Sequence, residues 1–273
     1  MKSFAHKFLL PAVLALPFII GCKPAAPARP TSEAAQQELK LRGYEFNEKN
    51  FFIVANAGEI RSINAFLIGG MSPDVINERG ETALILATKK GDVKVVRALL
   101  ENKADPNKPQ KDGDTPLILA IAGGKKEILE ALLDTNVDVN LAGKEGKTPL
   151  MVALNAEHND IANILLERGA NVAAVDEMGE SALIAAAATS NDAEMIQELI
   201  RRGANVNQQS KTGGTALMFA ASYNYQDVVS ELLKVGADIT IKDSKGRTAA
   251  DFAKQAKHAE IVRMLEENKR EEQ

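Results

Sequence analysis

The 273-residue chain has no tryptophan, three tyrosines and nine phenylalanines, so only 4% of it is aromatic. Hydrophobic residues still make up 45%, which leaves Leu, Ile, Val and Ala to build the core. Such a core suits closely stacked helices better than a sandwich or barrel. The single cysteine, Cys22, excludes an internal disulfide and any cysteine-based metal cluster. The three histidines, His6, His158 and His258, lack HExxH or related spacing, and no zinc site is expected. No P-loop, G-x-S-x-G or G-x-G-x-x-G string is present, and no cofactor is implied. The carboxylates are spread through the chain, with no isolated pair set in an apolar run for glycoside chemistry. Excess positive charge is missing too. The net charge is −4, and losing a leader that holds Lys2 and Lys7 makes the remainder more acidic. Nucleic-acid binders use a basic face to displace counterions, so nucleic acid is excluded as a partner.

The apolar run Phe8–Ile20 (FLLPAVLALPFII) is too short to cross a bilayer. As a helix it rises about 20 Å against a hydrocarbon core of about 30 Å, and Pro11 and Pro17 interrupt it. Behind Lys2 and Lys7 it reads as the h-region of a secretory signal peptide over residues 1–21. The segment Ile19-Ile20-Gly21-Cys22 resembles a bacterial lipobox, in which a small residue precedes the cysteine that becomes the lipidated N-terminus. The resemblance implies a thioether lipid and an acylated amino group at Cys22. Several acyl chains, at about 0.8 kcal/mol per buried methylene, anchor a protein where one chain does not. The alternative is an ordinary signal peptide with Cys22 left as a buried thiol. Residues 23–37 (KPAAPARPTSEAAQQ) are rich in Pro and Ala and read as an extended tether of about 45 Å. In lipoproteins of this kind an Asp after the cysteine signals inner-membrane retention. Lys23 stands there instead, which implies the inner leaflet of the outer membrane and a domain facing the periplasm.

The most specific feature is a fixed period. GETAL, GDTPL, GKTPL, GESAL, GGTAL and GRTAA place Thr82, Thr115, Thr148, Ser181, Thr215 and Thr248 at spacings of 33, 33, 33, 34 and 33. Leu99-Leu100, Leu132-Leu133, Leu165-Leu166, Leu199-Ile200 and Leu232-Leu233 keep the same phase, as do Gly169, Gly203 and Gly236 in Gly-Ala-Asn/Asp. Thr and Ser are good N-caps, Pro116 and Pro149 suit the first helical position, and the Gly two residues earlier permits a tight turn. Leu84 and Ala87, or Leu117 and Ala120, recur at helical spacing and give inner helices a face of mostly small residues. The period and its T-P-L-x-x-A and GADVN-like strings resemble the ankyrin repeat family. That resemblance implies a mainly α solenoid of about seven helix-turn-helix units joined by hairpin-like loops, each unit stabilised by its neighbours. The domain is expected over 44–268. It opens with a divergent first repeat at about 44–76, behind a short capping helix within 33–42. It closes with a polar capping repeat at about 244–268 and a charged tail, 269–273.

Two departures from the family pattern stand out. The histidine of T-P-L-H is replaced by Ile85, Ile118, Met151, Ile184 and Met218, and by Asp251 in the last unit, so apolar contact is expected where the family has polar links. One residue is inserted near Ser190-Asn191-Asp192, a bulge that is either neutral or a functional kink. His158 and His258 fall where the family places a structural histidine between helices.

Solenoids bind through a concave surface of turn tips and inner helices. In ankyrin proteins the contacts flank the turn Gly and fall seven and eight residues after the Thr. Carried over, these positions give Lys89 and Lys90 on a helix and Lys111, Asp112, Glu145 and Met178 on turns. Tyr223 and the nearby Tyr225 join them as candidate anchors, because exposed aromatic side chains often carry interface energy. The reading is a monomeric, membrane-anchored periplasmic protein that binds another protein around repeats four to six, without catalysis. A narrower form is an inhibitor or immunity protein against a periplasmic toxin or enzyme. Competing classes are a hydrolase hidden in the repeats and a purely structural spacer of the envelope.

Overall fold

The computed structural model describes residues 30–271. The leader, Cys22, the first part of the tether and the last two residues of the tail lie outside the described residues.

Fifteen α-helices follow, and no strand is formed among the described residues. The capping helix α1 is Ser32–Leu41. Seven helix pairs come next: α2 Glu48–Ala57 with α3 Ile60–Ile68, α4 Ala83–Lys90 with α5 Val93–Glu101, and α6 Pro116–Ala122 with α7 Lys126–Leu133. They continue as α8 Pro149–Asn155 with α9 Asn159–Glu167, α10 Ala182–Thr189 with α11 Ala193–Arg201, and α12 Ala216–Tyr223 with α13 Gln226–Lys234. The last pair is α14 Ala249–Ala256 with α15 Ala259–Glu271. Inner helices α2, α4, α6, α8, α10, α12 and α14 each pack on the next, and α1 packs on α3. This is a mainly α solenoid of stacked helix-turn-helix units, as the repeat pattern implies.

Local chemistry explains the elements. The hydroxyls of Thr82, Thr115, Thr148, Ser181, Thr215 and Thr248 each accept the N–H three residues on, which satisfies one orphan donor of every inner helix from α4 onward. In the first unit Asn47 does this work for α2, two residues earlier than strict phase from Thr82 places it. Five residues after each cap stands Ala87, Ala120, Ala153, Ala186, Ala220 or Ala253, all buried. With no side chain beyond Cβ at that row, successive inner helices approach closely. Where the family has histidine, Ile85, Ile118, Met151, Ile184 and Met218 are buried and apolar. Leu99, Leu132, Leu165, Leu199 and Leu232 are fully buried along the outer row.

Two segments differ from the sequence expectation. The capping helix expected within 33–42 forms as Ser32–Leu41 and so takes in residues 32–37, also read as tether; Thr31 caps it, and its Ala35 and Leu39 pack on the first repeat. At the other end α15 runs on to Glu271, through residues read as tail.

The inserted residue has a clear structural use. Ser190 leaves α10 in an extended conformation, φ −144° and ψ 156°. Asn191 Oδ1 then accepts the N–H groups of Asp227 and Val228 at 3.1 and 3.3 Å, and its Nδ2 donates to Asp227 Oδ2 at 2.8 Å. Helix α13 has no side-chain cap of its own at Tyr225, so the bulge of unit five caps the outer helix of unit six.

Candidate functional site

The site that stands out is a groove of about 320 Å³ in the concave face between units six and seven. Its floor is Met218, Phe219 and Phe252, its sides are Ser222 and Tyr223 of α12, and its rim is the turn tips carrying Thr212, Ser244, Lys245 and Arg247. The tips are held by backbone bonds from one unit to the next. Glu177 N donates to Glu145 O at 2.9 Å, Lys211 N to Met178 O at 2.7 Å, and Ser244 N to Thr212 O at 2.8 Å. A pre-set frame of this kind spares a ligand the entropy cost of ordering the loops.

Arg247 is the most constrained charge in the groove. Its Nε donates to Asp243 Oδ2 at 2.9 Å and its Nη2 pairs with the same oxygen at 2.7 Å. Its guanidinium carbon lies 4.2 Å from the centroid of the Phe252 ring, a cation–π geometry. Burial opposes the charge on Asp243, but the N–H groups of Arg247 and Lys245 and the guanidinium outweigh it and hold the carboxyl below the usual carboxylate range.

The residues predicted from sequence do not form one site. Lys89 is tied to the buried Glu81 at 2.7 Å, and Lys90 donates to Asn56 O at 2.5 Å, capping the end of α2. Both side chains are exposed, but each is engaged by an acceptor of the fold. Lys111, Asp112 and Glu145 are exposed on tips of units three and four, where Glu145 pairs with Lys147 at 3.0 Å. Met178 is 51% exposed on the tip of unit five, next to the groove but not in it. Tyr223 is 54% exposed and lines the groove. Tyr225 is half-buried, donates its hydroxyl to Thr189 O at 2.9 Å and stacks on Tyr223 with centroids 5.8 Å apart, so it supports that wall. The centre of gravity thus moves from units four to six toward units six and seven. Around the tip of unit five, burial and then the Asp176 carboxylate hold Glu180 above the usual carboxylate range.

Phe219 and Phe252 were missed from sequence, although a signal for them exists. Both lie four residues after their capping Thr, where earlier units carry Leu86, Leu119, Val152 and Ala185. No aromatic residue occurs between Phe66 and Phe219. Both remaining histidines make contacts within the fold. His258 Nδ1 contacts Ala221 O at 3.0 Å, and the His158 ring lies against Gly124. No cluster of His, Cys, Asp and Glu able to hold a metal, and no helix long and apolar enough to cross a membrane, occurs among the described residues.

Comparison with known proteins agrees with this architecture. The family model for ankyrin repeats (3 copies) matches residues 51–142, 94–176, 124–210 and 183–272. Among solved structures, the chain is similar to the ankyrin repeat domain of Bcl-3, described as a unique member of the IkappaB protein family. The two are 33% identical with a TM-score of 0.66, over 78% of this chain and 97% of that one. No curated protein matches the chain. With matched segments overlapping from residue 51 to 272, and the inner helices from α4 onward capped and stacked in the same way, the chain belongs to the ankyrin repeat family.

Proposed function

We infer that the protein is anchored in a bacterial envelope through lipid on Cys22 and binds a partner protein on the periplasmic side through its concave face. Ankyrin repeats indicate binding of another protein. The observation that carries the reading further is the groove between units six and seven, whose aromatic floor and wall the stack itself does not require. Exposed aromatic surface in a concave, pre-ordered frame is what interface hot spots are made of. The anchor rests on the only cysteine standing directly after Ile19-Ile20-Gly21. Lys23 after that cysteine supports the outer membrane. Inhibition of a toxin or enzyme that reaches the periplasm is the narrower form of the same role, and it involves no catalysis by this chain.

A photo-crosslinking residue at position 223, installed in intact cells, tests the binding reading. A discrete adduct with one protein is expected there and not with the probe at Lys234 on the outer helix. Identical adduct patterns at both positions would remove it. Cys22→Ser tests the anchor: the protein is expected to leave the membrane fraction and to lose incorporation of labelled fatty acid. Unchanged fractionation would show another attachment.

A further inference from the structure

Three departures from the repeat pattern meet in the groove between units six and seven. The residue before the capping Thr or Ser is charged in the other units that carry this motif: Glu81, Asp114, Lys147, Glu180 and Arg247. In unit six alone it is Gly214, where a Cβ would lie 3.0 Å from the Phe219 ring. Four residues after the cap, the aliphatic series gives way to Phe219 and Phe252. Eight residues after it stands the exposed Tyr223. The missing side chain opens the space that the two rings then floor. The other units form the same inner-helix stack with Leu, Val or Ala at the ring position, so the fold itself does not demand rings there.

The charges around the groove have a definite sign. Asp243 is consumed by four donors, from Lys245 N, Arg247 N and the Arg247 guanidinium. Asp251 keeps its charge but is held in the capping box, accepting from Thr248 N and Oγ1 at 2.8 Å each, and it does not line the groove. Lys242 and Lys245 make no ion pair among the described residues, and the Nη1 of Arg247 has no partner there. Within the groove lining Arg247 and Asp243 pair with each other, so the uncancelled charge is that of Lys245, and the aromatic-floored pocket has a positive rim in a chain whose net charge is negative.

We propose that this groove takes an acidic segment of the partner protein, seating one aromatic or large aliphatic side chain between Phe219 and Phe252 while a neighbouring carboxylate meets Lys245 and Arg247 Nη1. The proposal rests on the protein-binding reading above and specifies its ligand. The cavity of about 320 Å³ accommodates one large side chain with flanking backbone and is small for a folded domain. Asp243 already holds Nε and Nη2 of the stacked guanidinium and so fixes its plane, which leaves the Nη1 edge oriented for a ligand carboxylate. Association is expected to weaken as salt rises, because the rim charges are exposed to solvent.

The test is selection of a random-peptide display library on the detergent-solubilised full-length protein, followed by fluorescence anisotropy with a selected peptide. The expected consensus is Phe, Tyr or Leu flanked by Asp or Glu. Phe219→Leu and Phe252→Leu place in units six and seven the residue that units two and three already carry, so the stack is retained. Each is expected to raise Kd about tenfold or more. Lys245→Glu, an exposed change, is expected to do the same, while Lys94→Glu, exposed on the outer helix α5, leaves Kd unchanged. A consensus that is basic or lacks a large apolar residue overturns the proposal, and so does binding indifferent to all three groove variants. If that happens while position 223 still crosslinks a partner in cells, only the ligand class is wrong. If no protein is captured there either, the binding reading fails with it.

Discussion

Gly213 shows how little freedom a turn residue can have. Its φ is +80°, and a Cβ on it would lie 2.8 Å from Asp243 Cα in the next unit. Both the conformation and the close approach exclude a side chain. Gly213→Ala is therefore expected to cost more than about 1 kcal/mol, read as a lower urea midpoint, and to disturb the tip that carries Thr212. A midpoint within error of wild type would show that the tips move apart freely. Glu81 carries a different kind of constraint. The hydrogen bond from Lys89, helped by Asn77 and working against burial, lowers its pKa. The folded state thus favours the carboxylate more than the unfolded chain does. The stability it contributes is complete above the ordinary glutamate value of about 4.3 and is lost as pH falls through and below it. Lys89→Met is expected to reduce stability at neutral pH and to flatten the acid side of the stability–pH curve. An unchanged acid limb would assign the acid sensitivity to other carboxylates.

At the scale of helices, a recurring device closes the carboxyl end of one inner helix with a side chain from the next unit. Ten residues after the cap, Lys125 donates to Thr88 O and Lys89 O at 2.7 and 2.5 Å. His258 reaches Ala221 O from the same register, and Tyr225 reaches Thr189 O. The last carbonyls of a helix lack internal partners, so each contact satisfies an orphan acceptor while tying two units together. Tyr225→Phe is expected to cost about 1 kcal/mol of stability and to leave peptide binding near wild type, because the ring still stacks on Tyr223. Lost binding at unchanged stability would make Tyr225 a direct contact. Helix boundaries were largely legible beforehand: each capping Thr or Ser, with Gly two residues ahead, marks an N-terminus by local chemistry. The extra residue near Ser190 was visible only as a count. Its use depends on the α13 terminus, which lies more than thirty residues away in sequence.

Across the whole molecule the loops form a hydrogen-bonded ladder with one missing rung. Asp105 N donates to Asp74 Oδ1, Asp138 N to Asn107 Oδ1, Asn171 N to Asn140 Oδ1 and Asp238 N to Asn207 Oδ1. Ala173 stands where the next Asn belongs, so unit five receives no such bond from unit four. In a solenoid, stability is close to a sum of units and their interfaces, and a weak interface sets where the array opens first. Ala173→Asn is expected to raise stability by about 1 kcal/mol and to slow amide exchange around Asn205. No change in either would mean that the loop cannot present the new side chain. The sequence by itself determined the period, the caps and the apolar replacement of histidine, because each of these is written in neighbouring residues or in a constant spacing. Only the tertiary structure decided which polar side chains are free to meet a partner. Lys89, Lys90 and Tyr225 find acceptors on other elements, and no spacing rule shows that. It alone also brought Gly214, Phe219 and Phe252 into one groove, since a cleft between two units exists only once they are stacked.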